Sequence, residues 1–257
     1  MEPRPLGILI TGAGSGVGRG LARLLAAKER HLFLADIRLE AVEETARLIE
    51  PNPSGVSSHA FDVTSSEQVH GFINSLGDAR IDVLVNNAGL QFVAGIDEFP
   101  EARWDQLIDV MLKGPFLLTQ AVLPGMRQRG FGRIINIGSI HSLVASPFKS
   151  AYVAAKHGLL GLSKVVALEA ADQDITINTI CPAYIRTPLV DAQISAQART
   201  HGISEQEVID KIMLAPMPKK AFITIEEVAA AAEFLIGPSA RNITGQTIVI
   251  DGGWTAR

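Results

Sequence analysis

The chain has 257 residues, 47% of them apolar and 19% charged. That balance supplies a sizeable core and excludes a disordered chain. A net charge of −4 gives no basic field for nucleic acid or an acidic membrane surface, so neither is an expected partner. The one cysteine, Cys181, excludes an internal disulfide framework and fits a reducing, cytoplasmic setting.

The N-terminal stretch MEPRPLGILITGAG passes straight into a strand pattern without the features of a secretion signal. The most apolar stretches elsewhere, GLLGLSKVVALEAA and VAAAAEFLIG, are too short or too interrupted by charge to cross a bilayer, so a soluble protein is expected. In chain order, GILIT precedes a helical pattern at 17 to 29, LFLAD one at 39 to 49, SSHAFDV one at 65 to 76, and DVLVNNAG one at 101 to 129. GRIINIGS then precedes 150 to 171, ITINTIC follows, and QTIVIDGG comes after a helix at about 225 to 236. Short apolar runs alternating with crossover helices predict an α/β fold with a doubly wound parallel sheet, its strands buried on both faces. No linker or repeat divides residues 1 to 257, which read as one domain. Residues 188 to 221 are a long helical and polar insertion after a late strand, well placed to act as a lid over a ligand beyond the strand ends.

The first strand ends in TGAGSGVG, where Gly12, Gly14, Gly16 and Gly18 open a helix. Such a turn lets a pyrophosphate approach the backbone and meet the helix N-terminus, although glycines at any strand-to-helix junction are commonplace. Asp36 closes the second strand 18 residues after Gly18, at a spacing suited to an adenosine ribose. Its carboxylate would repel a 2′-phosphate, which favours NAD over NADP, while Arg38 nearby keeps NADP in view. Read alone, Asp36 could equally be a helix cap. Asp62 and Val63 in FDV, and Asn86 to Gly89 in NNAG, could be ordinary turns. Together the four polar strand ends outline a trough for an extended dinucleotide.

In KSAYVAAKHG, Tyr152 and Lys156 lie one helical turn apart on a shared face, where an ammonium favours phenolate and lowers a tyrosine pKa. Such pairs are common on plain amphipathic helices. With Ser139 lying 13 residues before Tyr152, and with TGAGSGVG and NNAG upstream, the chain resembles the short-chain dehydrogenase/reductase family over essentially its full length. The resemblance implies that Tyr152 exchanges a proton with the substrate oxygen and that Ser139 donates a hydrogen bond to it. Lys156 would hold the nicotinamide ribose and lower the Tyr152 pKa. The same resemblance assigns Gly12, Ser15, Gly16, Val17, Gly18, Asp36, Asp62, Val63 and Asn87 to the cofactor, and implies no metal. Where the family usually carries an asparagine that completes a proton relay, WDQLIDVMLKGPF offers Met111, whose thioether makes only weak hydrogen bonds.

Within the family, GRIINIGSIHSLVASPFKSAYVAAKHGLLGLSKVVALE, TPLVDAQI and DGGWTAR are very similar to the bacterial D-3-hydroxybutyrate dehydrogenases. Carried onto this chain, that likeness implies a small carboxylate substrate held by Gln91, His141, Lys149 and Gln193. It also implies a homotetramer. Charge-assisted hydrogen bonds suit a four-carbon acid that offers little apolar area. An isolated lysine is nevertheless more often solvated, and a lone histidine more often caps or edges a core. Ala183 and Tyr184 stand where that group typically has Gly and Trp, and Met217 where Gln is common, so a pocket of altered size or polarity is expected.

Overall fold

In the computed structural model, which describes residues 4–27, 29–49, 54–77 and 79–256, the apolar runs become seven strands. They are β1 (Leu6–Thr11), β2 (Arg30–Asp36), β3 (Gly55–Ala60), β4 (Val83–Asn86), β5 (Phe131–Ile137), β6 (Asp174–Pro182) and β7 (Thr247–Ile250). The helices between them are α1 (Gly16–Leu24), α2 (Leu39–Arg47), α3 (Ser66–Ser75), α4 (Glu101–Ile108), α5 (Gly114–Arg129), α6 (Ser150–Glu169), α7 (Pro188–His201), α8 (Glu205–Val208) and α9 (Ile225–Ile236).

Every strand pairing is parallel, and the order across the sheet is β3-β2-β1-β4-β5-β6-β7. Side chains alternate between the two faces of each strand. Ile8, Ile10, Leu32, Leu34, Val83 and Val85 therefore join one buried layer with residues of α1, α2 and α9. Leu9, Phe33, Leu84, Ile134, Ile175 and Ile177 join the opposite layer with α3, α5 and α6. A sheet covered on both faces accounts for strands that read as continuous apolar runs. The edge strands β3 and β7 are the exceptions, mostly half-buried along their length.

Winding proceeds outward from β1 in one direction through β2 and β3, and from β4 in the other through β5, β6 and β7. The loops after β1 and β4 thus diverge, leaving a crevice at the carboxyl ends of the strands. The predicted helix at 101 to 129 is divided: a π-helical turn, Asp109–Lys113, separates α4 from α5. By length and composition Glu101–Arg129 could cross a bilayer. Here Leu107, Met111, Leu118, Val122 and Met126 of that segment are buried within the fold. The helix predicted at 17 to 29 stops earlier, at Leu24. The insertion at 188 to 221 contains α7, α8 and a second π-helical turn, Ile209–Met213.

Candidate active site

The crevice opens into a cleft of about 460 Å³. Its floor at the end of β1 is the glycine-rich turn. Gly12 and Gly16 have φ values of +64° and +52°, and a Cβ at Gly12 would come within 2.9 Å of the Ala88 backbone. Glycine alone satisfies both demands at that position. Gly12, Ser15, Gly16 and Val17 line the cleft at the start of α1, while Asp36 lines it from the end of β2. The Asp36 carboxylate accepts the backbone N–H of Gly14 at 3.1 Å and that of Arg38 at 3.2 Å.

Gly18 has a different place from the one expected. It does not line the cleft, and a Cβ there would lie 2.2 Å from the Gly12 carbonyl oxygen, so the residue lets α1 pack against the loop. Asp62 and Val63 also lie outside the cleft lining. Asp62 Oδ1 accepts both the backbone N–H and the hydroxyl of Thr64, at 2.9 and 2.8 Å, forming a local turn. Val63 packs near Gly114.

The NNAG segment secures the switch point between β1 and β4. Asn87 Nδ2 donates to the Thr11 carbonyl at 2.9 Å, and the Thr11 hydroxyl accepts the backbone N–H groups of Asn87 and Ala88. Beneath the cleft, Asn86 Nδ2 donates to Asn136 Oδ1 at 2.8 Å and Asn136 Nδ2 to Ser163 Oγ at 2.9 Å, tying β4, β5 and α6 together. Buried amides arranged in this way hold the strand ends in fixed register.

Ser139, Tyr152 and Lys156 converge on the cleft. Ser139 caps a short 3₁₀ turn, Ile140–Ser142, with its hydroxyl accepting the His141 N–H at 3.2 Å. Tyr152 lies on the first turn of α6. The residue is half-buried in the cleft wall, and its burial raises the phenol pKa, with the Ser139 hydroxyl opposing the rise. The expected lowering by Lys156 is not found in this geometry. Lys156 is buried, donates to the Ile137 carbonyl at 2.7 Å and faces the Tyr152 ring at 5.8 Å from its centroid. Burial also lowers its own pKa to about 8.

Gln91, His141, Lys149 and Gln193 are all brought to the cleft wall. The Gln91 amide oxygen is buried without a hydrogen-bond partner among the described residues. His141 places Nδ1 3.4 Å from the Ser139 hydroxyl and Nε2 2.8 Å from that of Ser146. Burial, with Lys149 next in weight, lowers its pKa to about 4, so the ring is neutral near pH 7. Lys149 is buried at the N-terminus of α6, directly after Phe148, which adopts φ +67°. A non-glycine residue in that region is uncommon and directs the chain sharply into the helix. Burial lowers the Lys149 pKa, and among the described residues it forms no ion pair.

Sequence reading missed two aromatic contributions. Lys149 Nζ lies 3.4 Å from the Tyr184 hydroxyl and 5.4 Å from the centroid of its ring. Tyr184 in turn stacks on Trp254, whose ring also meets His141 edge to face, each at a centroid separation of 6.0 Å. The substitution to Tyr at 184 was visible, but its hydroxyl contact depends on two loops meeting in space. Ala183 lines the cleft as expected, whereas Met217 does not. Met217 is fully buried beneath the C-terminal turn at Gly252, so it shapes the core instead of the pocket. Met111 does line the cleft, inside the π-helical turn, and packs with Leu107, Ala151, Ala155 and Tyr152.

A family model described as enoyl-(acyl carrier protein) reductase matches residues 12–255. The D-beta-hydroxybutyrate dehydrogenase of Rhizobium meliloti (strain 1021) is 46% identical over 256 residues, covering 97% of this chain and 98% of its own. That of Cupriavidus necator is 40% identical over 258 residues, covering 97% of each. A crystal structure of a variant actinorhodin polyketide ketoreductase with NADPH superposes with a TM-score of 0.91 at 30% identity, covering 98% of both chains. The chain belongs to the short-chain dehydrogenase/reductase family, oxidoreductases that use nicotinamide cofactors.

Proposed function

We propose that this protein is an NAD-dependent dehydrogenase that oxidises (R)-3-hydroxybutyrate to acetoacetate and catalyses the reverse reaction. Lys149 carries this reading: it is a buried cation in the cleft, three residues before Tyr152, without an ion-pair partner among the described residues. A desolvated ammonium gains most from a small anion that enters the same enclosed space. Gln91 and Gln193 supply further hydrogen-bonding groups on that wall, and the names of the two hydroxybutyrate dehydrogenase relatives support the same substrate.

The glycine-rich turn fits a dinucleotide, since its backbone is open to the cleft at the N-terminus of α1 and Gly12 lets it pack tightly on the Asn87–Ala88 segment. Gly12, Ser15, Gly16, Val17, Asn87 and Lys156 would hold the group, with Asp36 at the ribose selecting NAD. The nicotinamide supplies the hydride acceptor when bound. Ser139 orients the substrate oxygen, and Tyr152 takes its proton. Positioning of this kind is the main demand of the reaction, and general acid–base transfer supplies about 10²–10⁴-fold. The α7 segment carrying Gln193 would close over the carboxylate.

We place the protein in the cytoplasm as a homotetramer. Phe116 on α5 and Val165 and Leu168 on α6 are exposed, an apolar face suited to a second copy. The reading is tested by NADH formation with each enantiomer of 3-hydroxybutyrate, compared with NADPH formation and with a panel of neutral alcohols. Activity confined to neutral alcohols or bulky thioesters would overturn it.

A further inference from the structure

We infer that the Tyr184 hydroxyl donates a hydrogen bond directly to the substrate carboxylate and shares that anion with Lys149. The inference rests on the reading of the substrate as a small carboxylate, and it adds a binding residue to that reading. Trp is typical at this position in the group that the sequence resembles, so the donor is a departure of this chain.

The two donors are adjacent. Lys149 Nζ donates to the Tyr184 oxygen at 3.4 Å, and both residues line the cleft. An oxygen that has accepted from the ammonium still has its own proton to give, and no acceptor takes that proton among the described residues. The ammonium has three N–H groups, of which the phenol oxygen engages one. Burial, with Tyr152 next in weight, raises the Tyr184 pKa, so at neutral pH the group is a protonated donor and not a competing anion. Donors 3.4 Å apart suit one carboxylate, because each can meet a separate oxygen or both can meet the same one. A neutral carbonyl draws less from the pair, since hydrogen bonds to a charged acceptor are the stronger kind.

The phenol is held from behind. Its ring stacks on that of Trp254, with centroids 6.0 Å apart and planes inclined at 29°. Asp251 shapes the turn that carries Trp254: Oδ1 accepts the Gly253 N–H at 2.8 Å, and Oδ2 accepts the N–H and the hydroxyl of Thr255, each at 2.7 Å. The backbone is fastened as well. The Ala183 N–H donates to the Ile250 carbonyl and the Tyr184 carbonyl accepts the Ile223 N–H, both at 2.9 Å. Tyr184 therefore sits on anchored chain ahead of α7, which begins at Pro188 and carries Gln193. Its hydroxyl is in place whether or not α7 closes, and a donor already ordered gives up little entropy when the anion arrives.

The experiment is a double-mutant cycle of wild type, Tyr184→Phe, Lys149→Met and the double variant, with folding checked by thermal melting. The readouts are KM for (R)-3-hydroxybutyrate and the dissociation constants of propionate and propionamide from the NAD complex, followed by tryptophan fluorescence. Tyr184→Phe should raise KM and the propionate constant by about 3- to 10-fold and leave propionamide unchanged. A factor of similar size should persist when Tyr184→Phe is added to Lys149→Met. Loss of that factor in the Lys149→Met background would overturn direct contact, because the hydroxyl would then act only through the ammonium. Equal weakening of propionate and propionamide would overturn it too, by making Tyr184 a matter of cleft shape. Unchanged constants in Tyr184→Phe, with propionate still weakened by Lys149→Met, would overturn this inference and leave the carboxylate reading standing. Wild type that neither oxidises the hydroxy acid nor binds propionate would overturn the carboxylate reading and this inference with it.

Discussion

Asp36 Oδ2 accepts the backbone N–H of Gly14 at 3.1 Å, so the carboxylate proposed to govern cofactor choice also pins the glycine-rich turn proposed to receive the pyrophosphate. Asp36→Ala should therefore do two things at once. Removing the negative charge should raise the relative efficiency with NADP by about tenfold or more, since ~1.4 kcal/mol of repulsion suffices for that. Releasing Gly14 should weaken binding of both dinucleotides. Steady-state kinetics with each cofactor separates the effects, and wild type that already uses NADP as well as NAD would remove Asp36 as the selector.

Tyr152→Phe deletes only the phenolic oxygen from a ring already packed against Met111 and Ala151. The fold should be retained and NAD should still bind, as measured by fluorescence titration, while turnover falls by about 10²–10⁴-fold. Near-normal turnover would exclude Tyr152 as the proton-transfer group.

Met111 is 1% exposed within an apolar cluster, which makes the effect of an asparagine there predictable in sign. A buried amide left without partners costs ~1–3 kcal/mol, and the melting temperature of a chain this size should fall by several degrees. Activity should not rise if water or another group already supports proton transfer at Tyr152. A higher rate in Met111→Asn with an unchanged melting temperature would show instead that the thioether interrupts the more effective path.

The sheet was legible because strands buried on both faces are predominantly apolar, as Ile8 to Ile10 show. The convergence of Ser139, Tyr152 and Lys156 on one cleft was legible because their spacing places them at a strand end and on one helical turn. Other features have no local signature. The π-helical turn at Asp109–Lys113 inserts one residue's worth of drift without a proline or glycine to announce it within those five positions. The Tyr184 contact joins residues 35 positions apart, and the spacing does not announce that Thr64 donates to the Asp62 carboxylate. The Lys156 effect on Tyr152 was overestimated because sequence spacing shows a shared face but neither the competing Ile137 carbonyl nor the burial of the phenol.

His141 gives a pH test independent of turnover. Its pKa is about 4 when folded, against about 6.5 for an exposed imidazole, so the unfolded chain binds more protons between these values. Stability is therefore fully present above pH 6.5 and is lost as pH falls through 4, by on the order of 3 kcal/mol from this group alone. Chemical denaturation at pH 7 and pH 4.5 should show a smaller loss for His141→Gln than for wild type. An identical loss in the two proteins would mean that His141 is protonated in the folded state or that the ring is accessible to water.

Lys149 is the residue on which the proposed substrate choice turns. Its ammonium is buried and faces the Tyr184 ring and hydroxyl, contacts that orient it without neutralising it. If a substrate carboxylate completes that environment, Lys149→Ala should raise KM for 3-hydroxybutyrate strongly, because losing a charged hydrogen-bond partner costs ~1.5–3 kcal/mol, or about 10- to 150-fold. For a neutral secondary alcohol the same variant should change little. Tyr184→Phe should fall between, since it keeps the stacking on Trp254 and removes only the hydroxyl that steadies the ammonium. The movement of α7 should follow the same division, because a ligand can favour a closed state only by binding it more tightly. Protection of α7 amides from hydrogen exchange should increase with the hydroxy acid and NAD present, and not with the neutral alcohol. Equal kinetic losses for charged and neutral substrates would remove the carboxylate clamp and leave a general alcohol dehydrogenase in its place.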